Sequence, residues 1–138
     1  MPITQDDDLR QLLRETRHIA MVGASDRPDR ASFGVMRFLL SHGYEVTPVN
    51  PQLAGQTIHG QVVAASLEEV SQPIDLVDIF RNTAAAGQVI DEAIAAGAKA
   101  VWTQLGVTPH EAIERAETAG LKAVIDRCPA IEIPRLGL

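Results

Sequence analysis

Short apolar runs alternate with segments of helical periodicity along nearly the whole chain, and this alternation constrains the fold more than any other feature. Most of the runs are apolar at successive positions, which is typical of strands buried on both faces of a parallel sheet. The predicted strands are His18–Val22, Glu45–Val49, Val62–Val63, Leu76–Phe80, Ala100–Trp102 and Ala123–Ile125. The pattern predicts an α/β fold, a three-layer, doubly wound, Rossmann-like parallel sheet of five to six strands.

Helical periodicity fills the segments between these strands. A leading helix places Leu9, Leu12 and Leu13 on one face, and further helices are predicted at Ser32–His42, Ser66–Val70, Thr83–Ala96 and Thr108–Ala119. Capping boxes are predicted at Ser66 with Glu69 and at Thr108 with Glu111, with Pro109 in the first helical position. Terminating glycines are predicted at Gly43, Gly97 and Gly120. Since the chain has no repeat and no linker, we expect one domain over residues 1–138.

Composition narrows the class of partner. A chain of 138 residues with 46% hydrophobic content can bury a core by itself, and its net charge of -6 argues against nucleic acid and acidic membranes as partners. With one cysteine, the chain forms no internal disulfide, and it offers no zinc cluster. The polar N-terminal segment resembles neither a signal peptide nor a membrane anchor. We therefore expect a cytoplasmic protein.

The segment Gly23-Ala24-Ser25-Asp26-Arg27-Pro28-Asp29-Arg30 joins the first predicted strand to the next helix. At such a turn, backbone N–H groups and the positive end of the helix dipole attract anions. The segment also keeps two arginines in an acidic chain. We interpret it as a phosphate-binding loop.

Other polar residues follow the remaining strands, at the sheet edge where ligands bind in open parallel sheets. They are Asn50-Pro51, Phe80-Arg81, Thr103-Gln104 and Arg127. Four of the ten arginines fall at this edge, and guanidinium groups bind phosphate oxygens bidentately. In the alternative interpretation, each arginine pairs with a nearby acid such as Asp26, Asp29 or Asp126.

The sequence pattern that is typical of NAD-binding proteins is incomplete in this chain. Of the G-x-G-x-x-G fingerprint only Gly23 is present, and Ser25 stands where the second glycine belongs. The second strand ends in Val49-Asn50-Pro51, without the acidic residue that holds the ribose of NAD. An NAD(H)-binding redox sensor or dehydrogenase-like module is therefore an alternative, not the first prediction.

Six segments spread over nearly the whole chain form a recognisable series: Ile19-Ala20-Met21-Val22-Gly23-Ala24-Ser25, Pro48-Val49-Asn50-Pro51, Leu53-Ala54-Gly55-Gln56, Val77-Asp78-Ile79-Phe80-Arg81, Trp102-Thr103-Gln104-Leu105-Gly106-Val107 and Asp126-Arg127-Cys128-Pro129-Ala130-Ile131-Glu132. In their order and spacing, the chain resembles the CoA-binding domain family, found as a stand-alone bacterial protein and as the N-terminal domain of the succinyl-CoA synthetase α subunit. This resemblance implies a Rossmann-like domain that holds the nucleotide part of coenzyme A.

The resemblance also implies roles for individual residues. Gly23, Ala24 and Ser25 would contact the pyrophosphate, and Asn50-Pro51 would follow the second strand beside it. Phe80-Arg81 and Thr103-Gln104 would line the adenine and pantetheine side of the cleft. The chain departs from the synthetase in its longer first loop, Asp26 to Asp29, and in lacking the domain with the phosphorylated histidine.

We identify no catalytic constellation and no metal site in the sequence. His59 lies in a loop where a histidine is more often inert, and Cys128 is expected to be a small buried residue. Asp75 and Asp78 are three apart in a predicted strand, so they point to opposite faces and do not form a joint site. Trp102 and the stripe of Phe33, Met36 and Leu40 are expected to belong to the core.

The predicted function is binding of coenzyme A or an acyl-CoA through its phosphates, without catalysis. The predicted site comprises Gly23, Ala24, Ser25, Arg27, Arg30, Asn50, Pro51, Phe80, Arg81, Thr103 and Gln104. Besides NAD(H) binding, a second alternative is a CoA-site subunit of an acyl-CoA ligase whose catalytic domain lies on another chain. The sequence leaves open a homodimer or a ligase partner subunit.

Overall fold

A five-stranded parallel sheet forms the centre of the protein, which we describe over residues 1–138 from a computed structural model. Its strands are β1 (His18–Val22), β2 (Glu45–Val49), β5 (Leu76–Ile79), β6 (Ala100–Thr103) and β7 (Lys122–Val124), in the order β2-β1-β5-β6-β7. Two further strands, β3 (Thr57–Ile58) and β4 (Gln61–Val62), form a separate antiparallel pair. In the main sheet, Ile19 of β1 pairs with Val46 on one side and Leu76 on the other.

Helices cover both faces of the sheet. They are α1 (Asp6–Glu15), α2 (Ala31–Ser41), α3 (Thr83–Ala95), α4 (His110–Thr118) and α5 (Pro129–Arg135). One core cluster joins α1, α2 and α5 to one face, with Trp102 fully buried in it, and a second joins α3 and α4 to the other face. This arrangement confirms the predicted doubly wound fold. No helix has both the length and the apolar character needed to cross a membrane.

The strand predictions hold where both faces of the strand are covered. Every residue of β1 and β5 is buried, as the continuous apolar runs indicated. The predicted strand at Val62–Val63 is confirmed only in part: Val62 ends β4, which pairs with β3 and not with the main sheet, and Val62 is exposed. The reason is the local turn at His59-Gly60, where both residues have positive φ, as in two-residue hairpin loops.

Helix boundaries agree with the predictions to within one or two residues, but the capping boxes are wrong. Pro109 is the N-cap of α4, not its first helical residue, and the Thr108 backbone N–H donates to Thr83 Oγ1. Ser66 precedes a 3₁₀ turn, Leu67–Glu69, and makes no side-chain cap. The predicted terminating glycines are confirmed, each with positive φ, at Gly43, Gly97 and Gly120. Helix α5 was not predicted.

Candidate functional site

The direction of winding reverses between β1 and β5, and a crevice opens at the carboxyl ends of these two strands. β2 lies on one side of β1, whereas the later strands lie on the other side. The helices that follow β1 and β5 therefore cover opposite faces of the sheet. Ligands of doubly wound proteins bind in the crevice at such a reversal.

Gly23 and Phe80 meet at this crevice. Gly23 has a φ of +84°, and a Cβ atom added to it would collide with the Phe80 carbonyl oxygen. Both the backbone conformation and the close approach require glycine. A side chain at position 23 would collide with the protein backbone itself, so substitution of Gly23 is expected to impair folding.

A cavity of about 440 Å³ lies on the α2 side of the crevice. We call it the α2-side cavity; the predicted site residues that line it are Gly23, Ala24, Ser25, Arg27, Arg30, Asn50 and Phe80. Ser25 Oγ accepts a hydrogen bond from the Arg27 backbone N–H at 3.1 Å, which stabilises the turn. The loop after β1 thus forms a concave wall below the N-terminus of α2.

The N-terminus of α2 differs from the N-termini of the other helices. Its N-cap residue, Arg30, makes no side-chain cap, and its first turn contains no acidic residue. By contrast, α3 is capped by Asn82, and the first turns of α1, α4 and α5 contain acidic residues. The positive dipole end of α2 therefore meets the cavity without a side-chain cap or an acidic residue in its first turn, which favours an anion there.

Three arginines near the crevice have no carboxylate partner. Arg27, Arg30 and Arg81 are exposed and take part in no salt bridge, although Asp26 and Asp29 are their neighbours in sequence. Arg127 instead binds Glu132 at 2.7 Å. The alternative interpretation, in which each arginine pairs with a nearby acid, therefore holds for Arg127 but not for Arg27, Arg30 and Arg81. Their charge is available to a ligand.

Asn50 connects the two loops at the end of β1 and β2. Its Nδ2 donates to the Ala24 carbonyl at 2.8 Å, and its Oδ1 accepts from the Gln52 backbone N–H at 2.9 Å. Both ends of the amide are therefore engaged within the protein. Asn50 shapes the cavity wall by holding the first loop in place.

A second cavity, of about 590 Å³, lies on the α3 side of the crevice; we call it the α3-side cavity. Gly23, Asn50 and Phe80 line both cavities, whereas Pro51 and Arg81 line only this one. Its wall on α3 was not predicted from the sequence; it is formed by Ala85, Gln88, Val89 and Glu92. Their helical spacing directly after β5 was the signal available in the sequence.

Thr103 and Gln104 line neither cavity. Thr103 is fully buried, donates to the Val107 carbonyl at 2.7 Å and accepts from the Asp126 backbone N–H at 3.2 Å, so it organises the loops around it. Gln104 is half-buried, and its Nε2 donates to Asp78 Oδ1 at 2.6 Å. The structure therefore brings the other nine predicted residues together around the crevice and places these two beside it.

The remaining polar candidates lie apart from the two cavities. His59 Nε2 donates to the Phe33 carbonyl at 2.9 Å, which ties the hairpin to α2. Cys128 is buried as predicted, and burial raises the pKa of its thiol. Asp75 accepts the backbone N–H groups of Arg17 and His18 and forms no joint site with Asp78.

The fold is thus Rossmann-like, with an anion-favouring crevice where the winding reverses. Comparison with known proteins agrees with this class: the sequence profile of the CoA binding domain matches residues 17–134. The chain belongs to the CoA-binding domain family. The uncharacterized protein YneT of Bacillus subtilis (strain 168) is 34% identical over 121 residues, covering 88% of each chain.

Solved structures extend this comparison. A hypothetical protein from Pyrococcus horikoshii OT3 is 37% identical, with a TM-score of 0.92 over 100% of this chain and 97% of that chain. The apo form of the dinucleotide-forming acetyl-coenzyme A synthetase 1 of Candidatus Korarchaeum cryptofilum is 25% identical, with a TM-score of 0.69. The match covers 82% of this chain but 26% of the synthetase chain, so the synthetase contains further parts.

Proposed function

We propose that this protein binds coenzyme A or an acyl-CoA at the crevice, with the phosphates in the α2-side cavity. The observation that carries the proposal is the group of unpaired arginines at the crevice: Arg27 and Arg30 lie beside the uncapped N-terminus of α2, and Arg81 lines the adjoining α3-side cavity. In a chain with a net charge of -6, three guanidinium groups without carboxylate partners at one crevice favour a polyanionic ligand. Membership of the CoA-binding domain family supports the same ligand.

The same geometry disfavours NAD. An NAD site needs a carboxylate after β2 to hold the ribose hydroxyls, and β2 is followed by Asn50. Since the Asn50 amide is engaged by Ala24 and Gln52, it is not free to replace that carboxylate. NAD(H) binding is therefore the weaker alternative.

We propose that the chain binds this ligand without chemistry of its own. His59 is hydrogen-bonded to Phe33 away from both cavities, and the Cys128 thiol is buried with a raised pKa, which suppresses the thiolate. A single cysteine, which excludes an internal disulfide, favours the cytoplasm as the compartment.

A second candidate function is that of a CoA-site subunit for a ligase carried on another chain. It is favoured by the synthetase, in which the matching region makes up 26% of a longer chain. Co-purification of a ligase subunit with the tagged protein would support this function, whereas a stable isolated homodimer would argue against it.

Calorimetric titration of the purified protein with CoA, acetyl-CoA, NAD⁺ and NADH tests the proposal. We expect saturable binding of CoA and acetyl-CoA and much weaker binding of both nicotinamide dinucleotides. Absence of saturable CoA binding up to millimolar concentration overturns the proposal. Tighter binding of NADH than of CoA would replace it with the dinucleotide alternative.

A further inference from the structure

Asp78 is a charged residue type in the middle of the sheet. It lies on β5 with Met21 of β1 and Trp102 of β6 beside it in register, and its side chain is fully buried. One carboxyl oxygen accepts from Gln104 Nε2 at 2.6 Å, and the other, Oδ2, is the one buried side-chain polar atom without a partner. Buried polar atoms without a partner are few in native proteins, so Asp78 Oδ2 requires an explanation.

No cation compensates the Asp78 carboxylate. The helices on this face contribute apolar buried side chains, apart from Ser32 of α2, Glu132 of α5 and the N-cap residue Cys128, whose thiol lies close enough to sense the Asp78 charge. Glu132 is itself bound by Arg127 and Arg135. Burial raises the pKa of Asp78 to about 7, although the Gln104 hydrogen bond opposes this shift. Both protonation states are therefore accessible near neutral pH.

The ionised carboxylate fixes the orientation of the Gln104 amide. A carboxylate only accepts hydrogen bonds, so the Gln104 NH₂ group must point inward to Asp78. The Oε1 atom is then left as an acceptor at the carboxyl edge of the sheet, just beyond β6. Protonated Asp78 can instead donate to Oε1, which turns the amide and presents NH₂ at this edge.

The position of Gln104 indicates what it would recognise. β6 is two strands away from β1, so Gln104 lies roughly 10 Å across the edge from the phosphate-binding loop. A buried carboxylate beneath it disfavours a phosphate at this point and favours an uncharged hydrogen-bond donor. The part of an acyl-CoA that combines these properties is its amide-containing arm.

We propose that Asp78 is a positioning residue that holds the Gln104 amide with Oε1 outward, so that Gln104 accepts a hydrogen bond from an amide or hydroxyl group in the non-nucleotide arm of the ligand. The proposal rests on the proposed function, because it assumes a ligand whose phosphates occupy the α2-side cavity. In this proposal, the ends of β5 and β6 recognise the non-nucleotide arm, and the arginines elsewhere at the crevice bind the phosphates.

Comparing two ligands distinguishes contacts with the arm from contacts with the nucleotide. We compare CoA with adenosine 3′,5′-bisphosphate, which keeps the base, the 3′-phosphate and the first 5′-phosphate but lacks the second 5′-phosphate and the arm. Gln104→Ala should weaken CoA binding by about 3- to 10-fold, the value of one hydrogen bond, and leave the bisphosphate unchanged. The matched control, Gln72→Ala, removes an exposed amide that precedes β5 at its other end and should affect neither ligand. Equal weakening of both ligands by Gln104→Ala, or of neither, overturns the proposal.

The pH profile tests the action of Asp78 through Gln104. From pH 6 to pH 8, CoA affinity of the wild type should rise by about 3- to 10-fold relative to Gln104→Ala, whose profile reports the titration of the ligand itself. Asp78→Asn should lack this rise, because its amide does not titrate. Identical profiles for the wild type and Asp78→Asn overturn the proposal.

A measurement without ligand separates this inference from the proposed function. The side-chain NH₂ resonances of Gln104 should shift with a midpoint near pH 7 in the wild type and stay constant in Asp78→Asn. If CoA fails to bind but this titration is present, the proposed function fails and the Asp78–Gln104 coupling stands. If the resonances do not titrate, the coupling itself is wrong.

Discussion

Arginines occupy the carboxyl edge of the sheet in two regions, and their surroundings differ. In the crevice region, Arg27, Arg30 and Arg81 take part in no salt bridge. In the α5 region, Arg127 and Arg135 both bind Glu132, whose side chain is 7% exposed, and Arg135 also binds Asp6. The same residue type is thus neutralised in one region and left unpaired in the other.

The difference separates arginines that stabilise the fold through ion pairs from arginines whose charge is not compensated within the protein. Burial alone would raise the pKa of Glu132, but hydrogen bonds from Arg135 and Arg127 lower it below its usual value, so the group contributes to folding. The crevice arginines form no ion pair that would stabilise the folded state in this way. Their unpaired charge is tolerated at the surface and becomes useful when an anion binds. Substitutions at four residues test this division.

The largest effect is expected at Gly23, which places the loop that carries Arg27 and Arg30. Gly23→Val should destabilise the protein by about 3 kcal/mol or more, because a side chain is strained at positive φ and collides with the Phe80 carbonyl. Urea unfolding measures the loss. The control Gly34→Ala lies in α2, where an added Cβ meets nothing within 4 Å, and should not destabilise. A fully stable Gly23→Val protein would refute the close contact.

A smaller effect on stability is expected in the α5 region. Glu132→Ala should cost about 2 kcal/mol, because it leaves Arg127 and Arg135 without their shared partner. Thermal or urea unfolding should show this loss at neutral pH. As pH falls through the lowered pKa of Glu132, the wild type loses the same contribution, and the two proteins should converge. The division would be wrong if Glu132→Ala weakened CoA binding without loss of stability.

The smallest effect on stability, and a selective effect on binding, is expected in the crevice. Arg30→Ala and Arg81→Ala should each weaken CoA binding by about 5- to 30-fold, and the loss should shrink as salt is added. Unfolding free energies should stay within about 0.5 kcal/mol of the wild type. Arg37→Ala is the matched control, since Arg37 is exposed on α2, unpaired, and lines neither cavity. Unchanged CoA affinity in both crevice variants would show that these arginines do not contact phosphate.

Much of the fold could be predicted because strands buried on both faces leave a local signal. The run His18–Val22 coincides with β1, and Glu45–Val49 coincides with β2. The hairpin at Thr57–Val62 was misread because its pairing depends on a two-residue turn, not on hydrophobicity. The caps at Ser66 and Thr108 failed because spacing predicts a capping box only where the helix begins at the expected residue.

The candidate site was predictable to the extent that it follows strand ends. Residues after β1, β2 and β5 meet because parallel strands end at the same edge, so their position along the chain sufficed. The burial of Thr103 and its two hydrogen bonds could not be predicted, because its partners, Val107 and Asp126, lie in two different loops. The α3 wall with Gln88 and Glu92 was overlooked for the same reason: it faces a cavity that several segments create together.

By itself, the sequence determined the five strands of the main sheet and the helices α1 to α4, the turn beginning at Gly23 and the excess of arginine at one sheet edge. These are properties of neighbouring residues, and local periodicity records them. Only the tertiary structure decided which arginines are neutralised, since Arg135 meets Asp6 from 129 positions away. It also decided that Gly23 packs against Phe80 and that Asp78 is buried with Gln104 as its partner. Charge pairing and burial depend on distant segments that meet only when the layers pack, so packing separated the structural arginines from those left free for a ligand.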